Sequence, residues 1–451
     1  RFFEIIAIWL LLCIPLDLSA EPSEKTGEKT AGNDNETAQS IDAQLDALER
    51  EVEQKSKDNS QPNDDRSSDA SDEEASVDEK IAELERDVGS SAGDGGSQNQ
   101  GPTAMNPEIS VVLDAGAAWQ ENDPTLVGGP DPKSFGPFLQ SVELAFRADV
   151  DPYFTFESHL VATLSGLKVG EAYGTTLALP AGFQARFGKF KTRFGRVNPL
   201  HLHAWHFTAL PLVNGKFLGP AGLNGIGAEL SQLLPLPWYV EWVVSVQDLS
   251  SPAAGHAFLR DPAGLKGPLD LVASARLEQF FDLSTDWDFL LGLNASFGRN
   301  DSAGLKRRDE FRTDIYGTDL FFKYKPVERG GRSQLGWQTE GMLRNRQTPR
   351  GTLTDLGAYS YVYWGPSRNW EIGARYEYVT GPLEANRDYL HPEWPDERQR
   401  AGAALTFFPS NFSRLRLEYM TGDFDAGLEQ LDHTVILQAQ LVTGAHGAHT
   451  F

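Results

Sequence analysis

Cysteine is almost missing from this 451-residue chain, in which Cys13 is the only one. It lies within residues 1–20, where Arg1 precedes an apolar run and the small-residue end LSA, a pattern typical of a secretory signal. Removal of that segment would leave no cysteine, which excludes disulfides and thiolate metal sites. The apolar run is too short to predict a membrane-spanning helix. We therefore expect an exported protein held together without covalent crosslinks.

Aromatic residues are absent from residues 21–106, which contribute −15 of the formal net charge of −24. A segment of this composition cannot bury enough apolar surface to offset the entropy lost on ordering. We therefore predict an acidic, low-complexity, disordered segment. Contacts with nucleic-acid phosphates need clustered Lys and Arg. A chain this acidic is therefore not expected to bind nucleic acid.

Two short repeats interrupt the acidic segment, IDAQLDALEREV at 41–52 and VDEKIAELERDV at 77–88. Their apolar residues recur at alternating spacings of four and three, which is the seam of a coiled coil. Each repeat is under two heptads long, and isolated helices of that length are marginal in water. Two interpretations stay open: transient helices in a linker, or short coiled coils that pair between subunits held together elsewhere.

From residue 107 to residue 451 the pattern changes to segments of about ten residues in which apolar and polar residues alternate. In NWEIGARYEYV (369–379), Trp370, Ile372 and Tyr376 share one face, whereas Glu371 and Arg375 lie on the other. A soluble sandwich would bury such apolar faces between sheets, and a membrane barrel turns them toward lipid. The sequence therefore predicts an all-β fold, a transmembrane antiparallel β-barrel.

Sixteen such segments can be counted, and the connections between them alternate between short and long. Short periplasmic turns and long external loops are typical of outer-membrane barrels, and an even strand number places both termini in the periplasm. The predicted strands lie near 108–119, 138–149, 153–164, 168–178, 183–191, 225–233, 238–248, 270–281, 286–298, 313–325, 334–346, 353–364, 369–379, 398–408, 413–421 and 432–442. The long connections are 120–137, 192–224, 249–269, 299–312 and 380–397.

The segment EAYGTTLALPAGFQARFGKFKTRFG, residues 171–195, resembles a strand–turn–strand phrase of the phosphate-selective porin superfamily. Arg193 stands where that family's phrase has proline. The resemblance implies a homotrimeric diffusion channel in the outer membrane of a Gram-negative bacterium, surrounded by lipid and lipopolysaccharide. It also implies that the long connection after the fifth strand folds into the pore, and that a periplasmic coiled coil precedes the barrel. The terminal Phe451 resembles the signal that the barrel assembly machinery recognises.

Basic residues concentrate in two places. One is the end of the fifth strand with the start of the loop after it, and the other is the set of faces of strands thirteen to fifteen that the alternation turns inward. Rings of Arg and Lys inside a pore favour anions, so we predict that these residues attract small anionic solutes. The alternative is that the arginines pair with Glu371, Glu377 and Glu418 and only line a wet lumen. The first group is Arg186, Lys189, Lys191, Arg193 and Arg196, and the second is Arg375, Arg398, Arg400, Arg414 and Arg416.

Three histidines, His201, His203 and His206, lie within six residues of one another. They are a candidate zinc site, because neutral imidazole is a common zinc ligand. On a strand the first two share a face and on a helix the last two do, so no regular structure aligns all three. The segment 198–219 also resembles barrels that are labelled zinc-regulated outer-membrane receptors. The alternative interpretation is that these side chains pack the folded loop, with no cofactor.

Motifs of enzymes are missing from the predicted barrel, residues 107–451, which contains neither a GxxxxGK[ST] phosphate loop nor a GxSxG nucleophile elbow. We therefore predict a non-enzymatic porin for passive diffusion of small hydrophilic solutes, with a preference for anions. Two other functions stay open at this point: a metal-related receptor or uptake barrel, and a structural barrel that tethers the envelope.

Overall fold

The computed structural model describes residues 107–120, 135–250, 254–261, 263–302, 304–307, 309–326, 333–383, 397–422 and 432–444. The predicted signal segment, the acidic segment with its two repeats, and Phe451 lie outside these residues. The predictions made for them stay predictions.

The described residues form a closed barrel of sixteen antiparallel strands, in which each strand pairs with its neighbours in sequence and β1 pairs with β16. The predicted fold class is confirmed, and each strand begins and ends within three residues of its predicted bounds. The strands are β1 (Glu108–Gln120), β2 (Gly136–Asp151), β3 (Phe154–Thr163), β4 (Gly166–Thr176), β5 (Phe183–Lys191), β6 (Asn224–Leu233), β7 (Tyr239–Asp248), β8 (Val272–Asp282), β9 (Trp287–Arg299), β10 (Arg312–Tyr324), β11 (Gln334–Thr348), β12 (Gly351–Ser367), β13 (Trp370–Val379), β14 (Arg398–Ser410), β15 (Ser413–Gly422) and β16 (Asp432–Gly444).

Burial alternates along the strands as the sequence pattern predicts. In β13, Trp370, Ile372 and Tyr376 are exposed on the outer surface, and Glu371 and Arg375 are buried inside. Successive side chains of a strand point to opposite faces, so a single period-2 pattern separates an apolar exterior from a charged interior. The barrel thus has the surface expected of a protein solvated by lipid.

The alternation of loop lengths holds in part. On the end with the long connections, β3 joins β4 through residues 164–165 and β11 joins β12 through residues 349–350, so two of these connections are tight turns. Within the described residues, no helix has the length and apolar character needed to cross a membrane.

The connection between β5 and β6, residues 192–223, lies inside the barrel and is called the inward loop here. It contains a short 3-10 turn (Leu202–Ala204) and one α-helix, α1 (Leu212–Leu218), all seven residues of which are buried. Near the start of the loop, Gly195 has a φ of 63°, a left-handed conformation that favours glycine. A Cβ at this position would also lie 1.8 Å from Glu340 Oε1 on β11. A glycine therefore suits this position, where the chain turns into the lumen.

Apolar side chains of the inward loop form one hydrophobic cluster with inward-facing residues of the barrel wall. The loop residues Phe194, Phe207 and Phe217 have at most 2% of their surface exposed, and they share the cluster with Ile315 and Tyr359 of the wall. Burial of this much apolar surface stabilises the loop in its folded position. The core of the protein therefore lies inside the barrel, between the loop and the wall.

Candidate functional site: the lumen and its inward loop

Arg375 on β13 and Arg400 on β14 hold one segment of the inward loop by its backbone. Arg375 donates a hydrogen bond to the carbonyl of Ala209 (2.7 Å), and Arg400 donates to the carbonyl of Leu210 (2.6 Å). Both guanidinium groups also contact Glu377 Oε1 at 2.8 Å. The second oxygen of Glu377 accepts a hydrogen bond from the backbone N–H of Leu212 at 2.6 Å. These two arginines are thus compensated by a carboxylate and oriented by loop carbonyls.

Arg414 and Arg416 on β15 make a second attachment, because both donate to the carbonyl of Trp205, at 3.2 and 2.7 Å. On the same strand, Glu418 accepts a hydrogen bond from the backbone N–H of Thr208 at 2.7 Å. Arg398 faces the lumen as well and is buried. On the inward faces of β13–β15, five arginines thus stand beside three glutamates, which leaves an excess of positive charge.

Two of the basic residues around the end of β5 are compensated by carboxylates, and two others have neutral partners. Arg186 contacts Glu229 at 3.0 Å, and Arg193, which replaces the proline of the porin phrase, contacts Glu229 and Glu241 at 2.9 Å each. Lys191 donates to the carbonyl of Leu200 in the inward loop. Arg196 lies over the ring of Phe321 and donates to Gln338.

Lys189 does not line the lumen, and this part of the sequence prediction is wrong. It pairs directly with Ile226 of β6, whose side chain is 64% exposed on the outer surface. Directly paired residues of neighbouring strands share a face, so Lys189 lies on the exterior. Gly188, which precedes Lys189, has a φ of 127°. A run of basic residues in the sequence does not reveal which of them face inward.

Lys216 of α1 is a further buried cation, which the sequence did not single out. Its ammonium contacts Asp355 at 3.0 Å, and Arg344 contacts the same carboxylate at 2.6 Å while lying over the ring of Phe217. Burial lowers the pKa of Lys216 to about 8, although the charge of Asp355 opposes the shift. The helix is thus attached to the wall by a charge cluster in which one ammonium is easily neutralised.

The structure brings two of the three predicted histidines together and separates the third. His201 lies with its two ring nitrogens 3.0 Å from Glu143 and 2.7 Å from Glu171. His203 lies 3.4 Å from the other oxygen of Glu143. His206 instead contacts Glu371 on β13 at 3.0 Å and stacks on Tyr363.

His159 on β3 joins the two loop histidines. Its Nδ1 lies 2.8 Å from Glu143, its Nε2 lies 2.8 Å from Glu157, and its ring stacks on that of His201 at 4.1 Å. Sequence reasoning missed His159 and Glu143. The available signal was that both are titratable residues on adjacent strands, at positions that the alternation turns inward.

Burial and charge act in opposite directions on the imidazole of His201. Burial lowers its pKa, but the hydrogen bonds with Glu143 and Glu171 outweigh that effect and raise the pKa. A positive charge at this position, whether a proton or another cation, is therefore stabilised by the surrounding carboxylates.

No protein-family model matches this chain. Among solved structures, it is similar to the outer membrane channel DcaP of Acinetobacter baumannii, with 14% identity, 77% of this chain and 100% of that chain covered, and a TM-score of 0.51. It is also similar to the anion-selective porin from Comamonas acidovorans, with 9% identity, coverages of 75% and 100%, and a TM-score of 0.50. At these identities the similarity concerns the fold, which is that of sixteen-stranded outer-membrane porins.

A relative in sequence is an uncharacterized protein of Aquifex aeolicus (strain VF5). The two chains are 30% identical over an alignment of 384 residues, and the match covers 77% of this chain and 80% of the relative. Residues 1–106 make up less than a quarter of this chain, so a match that covers 77% of it includes most of the barrel region. This chain belongs to the same family as the Aquifex aeolicus protein.

Proposed function

We propose that this protein is an outer-membrane channel through which small hydrophilic solutes diffuse passively, with a moderate preference for anions. The observation that carries the proposal is the inward loop, which lies within a closed barrel of apolar exterior and is attached to a charged wall. A loop placed there narrows the lumen, and the groups around it decide which solutes pass.

The expected selectivity follows from the balance of charges beside the loop. Four of the basic groups, Arg186, Arg193, Arg375 and Arg400, contact carboxylates directly, which blunts the fixed charge. The wall of β13–β15 retains more arginines than glutamates, so its field attracts anions moderately. The similarity to an anion-selective porin is consistent with this sign, although that property is stated of the Comamonas acidovorans protein.

The cellular setting is part of the same proposal. The barrel would lie in the outer membrane among lipid and lipopolysaccharide, with residues 21–106 in the periplasm. We propose a homotrimer, as the porin resemblance implies. A tethering role would depend on residues 21–106, and no contact among the described residues favours it.

Planar-bilayer recordings of the purified protein under a KCl gradient test the proposed function. We expect stable conductance steps and a reversal potential of the sign that indicates anion preference. An absence of conductance would contradict the channel, and a cation-selective pore would contradict the assigned charge balance.

Two arginine variants test whether the anion preference comes from the charges on β15. Arg414→Gln removes one lumenal charge, while Arg416 still donates to the same carbonyl of Trp205. We expect the reversal potential of this variant to move toward zero. Arg307→Gln is the control, because Arg307 lies in an exposed pair with Glu310 outside the barrel strands. An equal shift in both variants would place the selectivity elsewhere.

A further inference from the structure

The cluster around Glu143 has ligand atoms from three different elements. Glu143 lies on β2, His159 on β3 and His201 in the inward loop. One ligand atom from each lies within 4.8 Å of the others, and the Nδ1 atoms of both histidines approach the same oxygen, Glu143 Oε1. Within the described residues, this is the group of side chains whose spacing suits a metal ion.

The outer nitrogen of each ring is held by a second carboxylate. Nε2 of His159 lies 2.8 Å from Glu157, and Nε2 of His201 lies 2.7 Å from Glu171. A neutral imidazole has one N–H, so when it donates outward to a carboxylate, its other nitrogen offers a lone pair. Here both lone pairs would face the interior of the cluster, beside Glu143. Metal-binding histidines commonly have this arrangement, in which the outer carboxylate fixes the tautomer and strengthens the ligand.

We propose that Glu143, His159 and His201 bind a divalent transition-metal ion of the zinc type, with His203 beside it as a further ligand. Two imidazole nitrogens and one carboxylate oxygen suit Zn²⁺ and its neighbours, whereas Ca²⁺ and Mg²⁺ require oxygen ligands. Three carboxylates and one ammonium, that of Lys191, surround the position, so a divalent cation compensates the negative charge that remains in excess when the imidazoles are neutral. This ligand set differs from the sequence-predicted group because His159 and Glu143 replace His206.

The ligands come from both the barrel wall and the inward loop, so a bound ion would connect the two. Glu143 and His159 belong to the barrel wall, and His201 and His203 belong to the inward loop. An ion bound to both would tie residues 201–203 to β2 and β3, at a different part of the wall from the arginine attachments on β13–β15. The proposal does not depend on conductance, because binding can be measured on any folded barrel.

The test is metal binding to the full chain, purified in detergent and treated with a chelator. Isothermal titration with Zn²⁺ should show one ion per chain, and Co²⁺ bound at the same site should give the visible absorption that is typical of a low coordination number. His159→Gln and His201→Gln should each lower the affinity at least tenfold. Glutamine keeps a hydrogen-bonding group at the position of each imidazole. Retention of the heat-modifiable band on a gel shows that each variant is folded.

His206→Gln is the matched control, since His206 lies in the same loop and contacts a different carboxylate, Glu371. We expect it to bind Zn²⁺ like the parent. Glu157→Gln tests the outer carboxylate and should weaken binding tenfold or more while leaving all three ligands in place. The proposal is overturned if the parent binds no ion at micromolar Zn²⁺, if binding survives in His159→Gln, or if His206→Gln abolishes it.

Discussion

At the scale of single residues, this lumen consists of buried charges that have partners. Glu377 illustrates the arrangement, because it contacts two arginines and one backbone N–H at the same time. Removing a charge from water is costly, and a pair in a low-dielectric interior is stable only when its remaining hydrogen-bonding groups are satisfied. Arginine suits the position because its fork of donors reaches a carboxylate and a loop carbonyl together.

Lys216 makes the attachment of α1 depend on pH. Its pKa is about 8 in the folded loop and 10.5 when unburied, so between these values the released loop binds more protons than the folded one. The free energy of releasing the loop should therefore rise as pH increases from about 8 to 10.5, by at most about 3 kcal/mol, since one pKa unit corresponds to about 1.4 kcal/mol. The rate at which subtilisin cleaves the loop, followed across this pH range, measures the change in this free energy.

Lys216→Met should remove this pH dependence, since methionine cannot be protonated and fits a buried position. Lys266→Met is the control, because the side chain of Lys266 is 63% exposed. If protection from cleavage rises in parallel in the parent and in Lys216→Met across the range, the dependence belongs to another group.

At the scale of elements, the inward loop packs its apolar residues against the wall and has polar attachments at its edge. Its aromatic side chains supply packing, and its backbone N–H and carbonyl groups are taken up by wall carboxylates and arginines. A segment without strand neighbours needs such partners, because a buried backbone group without a hydrogen bond is costly. The barrel strands satisfy their own backbone groups independently of the loop.

Phe217→Ala should release the loop and leave the barrel folded. Phe217 is fully buried between α1 and the wall, and truncation of such a side chain typically costs about 3–5 kcal/mol. We expect faster proteolysis of the loop and a larger single-channel conductance. Phe187→Ala, at a position 52% exposed on the outer surface, is the matched control and should change neither quantity. Unchanged conductance in Phe217→Ala would mean that the loop does not limit the pore.

At the scale of the whole molecule, closure of the sheet removes both edges and leaves only side chains at the surface. The exterior of the barrel is apolar along its strands, as at Ile372, Leu417 and Leu437, and lipid or neighbouring barrels can cover it. Any association of subunits through this surface would need no contribution from residues 21–106.

We therefore expect a barrel that lacks residues 21–100 to remain a homotrimer. Native mass measurement and chemical crosslinking of the purified variant, compared with the full chain under the same detergent conditions, check this expectation. Monomers of the shortened protein beside trimers of the full chain would show that the repeats at 41–52 and 77–88 drive assembly.

The sequence by itself determined the strands, their number and which residues of β13–β15 face the lumen. These features follow from a local period of two, which can be read within ten residues. Tertiary structure alone decided that Lys189 lies outside, that His206 separates from His201, and that His159 and Glu143 join the loop. Each of these depends on where residues distant in the chain meet once the barrel closes and the loop enters it. No local pattern encodes such a meeting, because its energy comes from packing and charge compensation across the lumen.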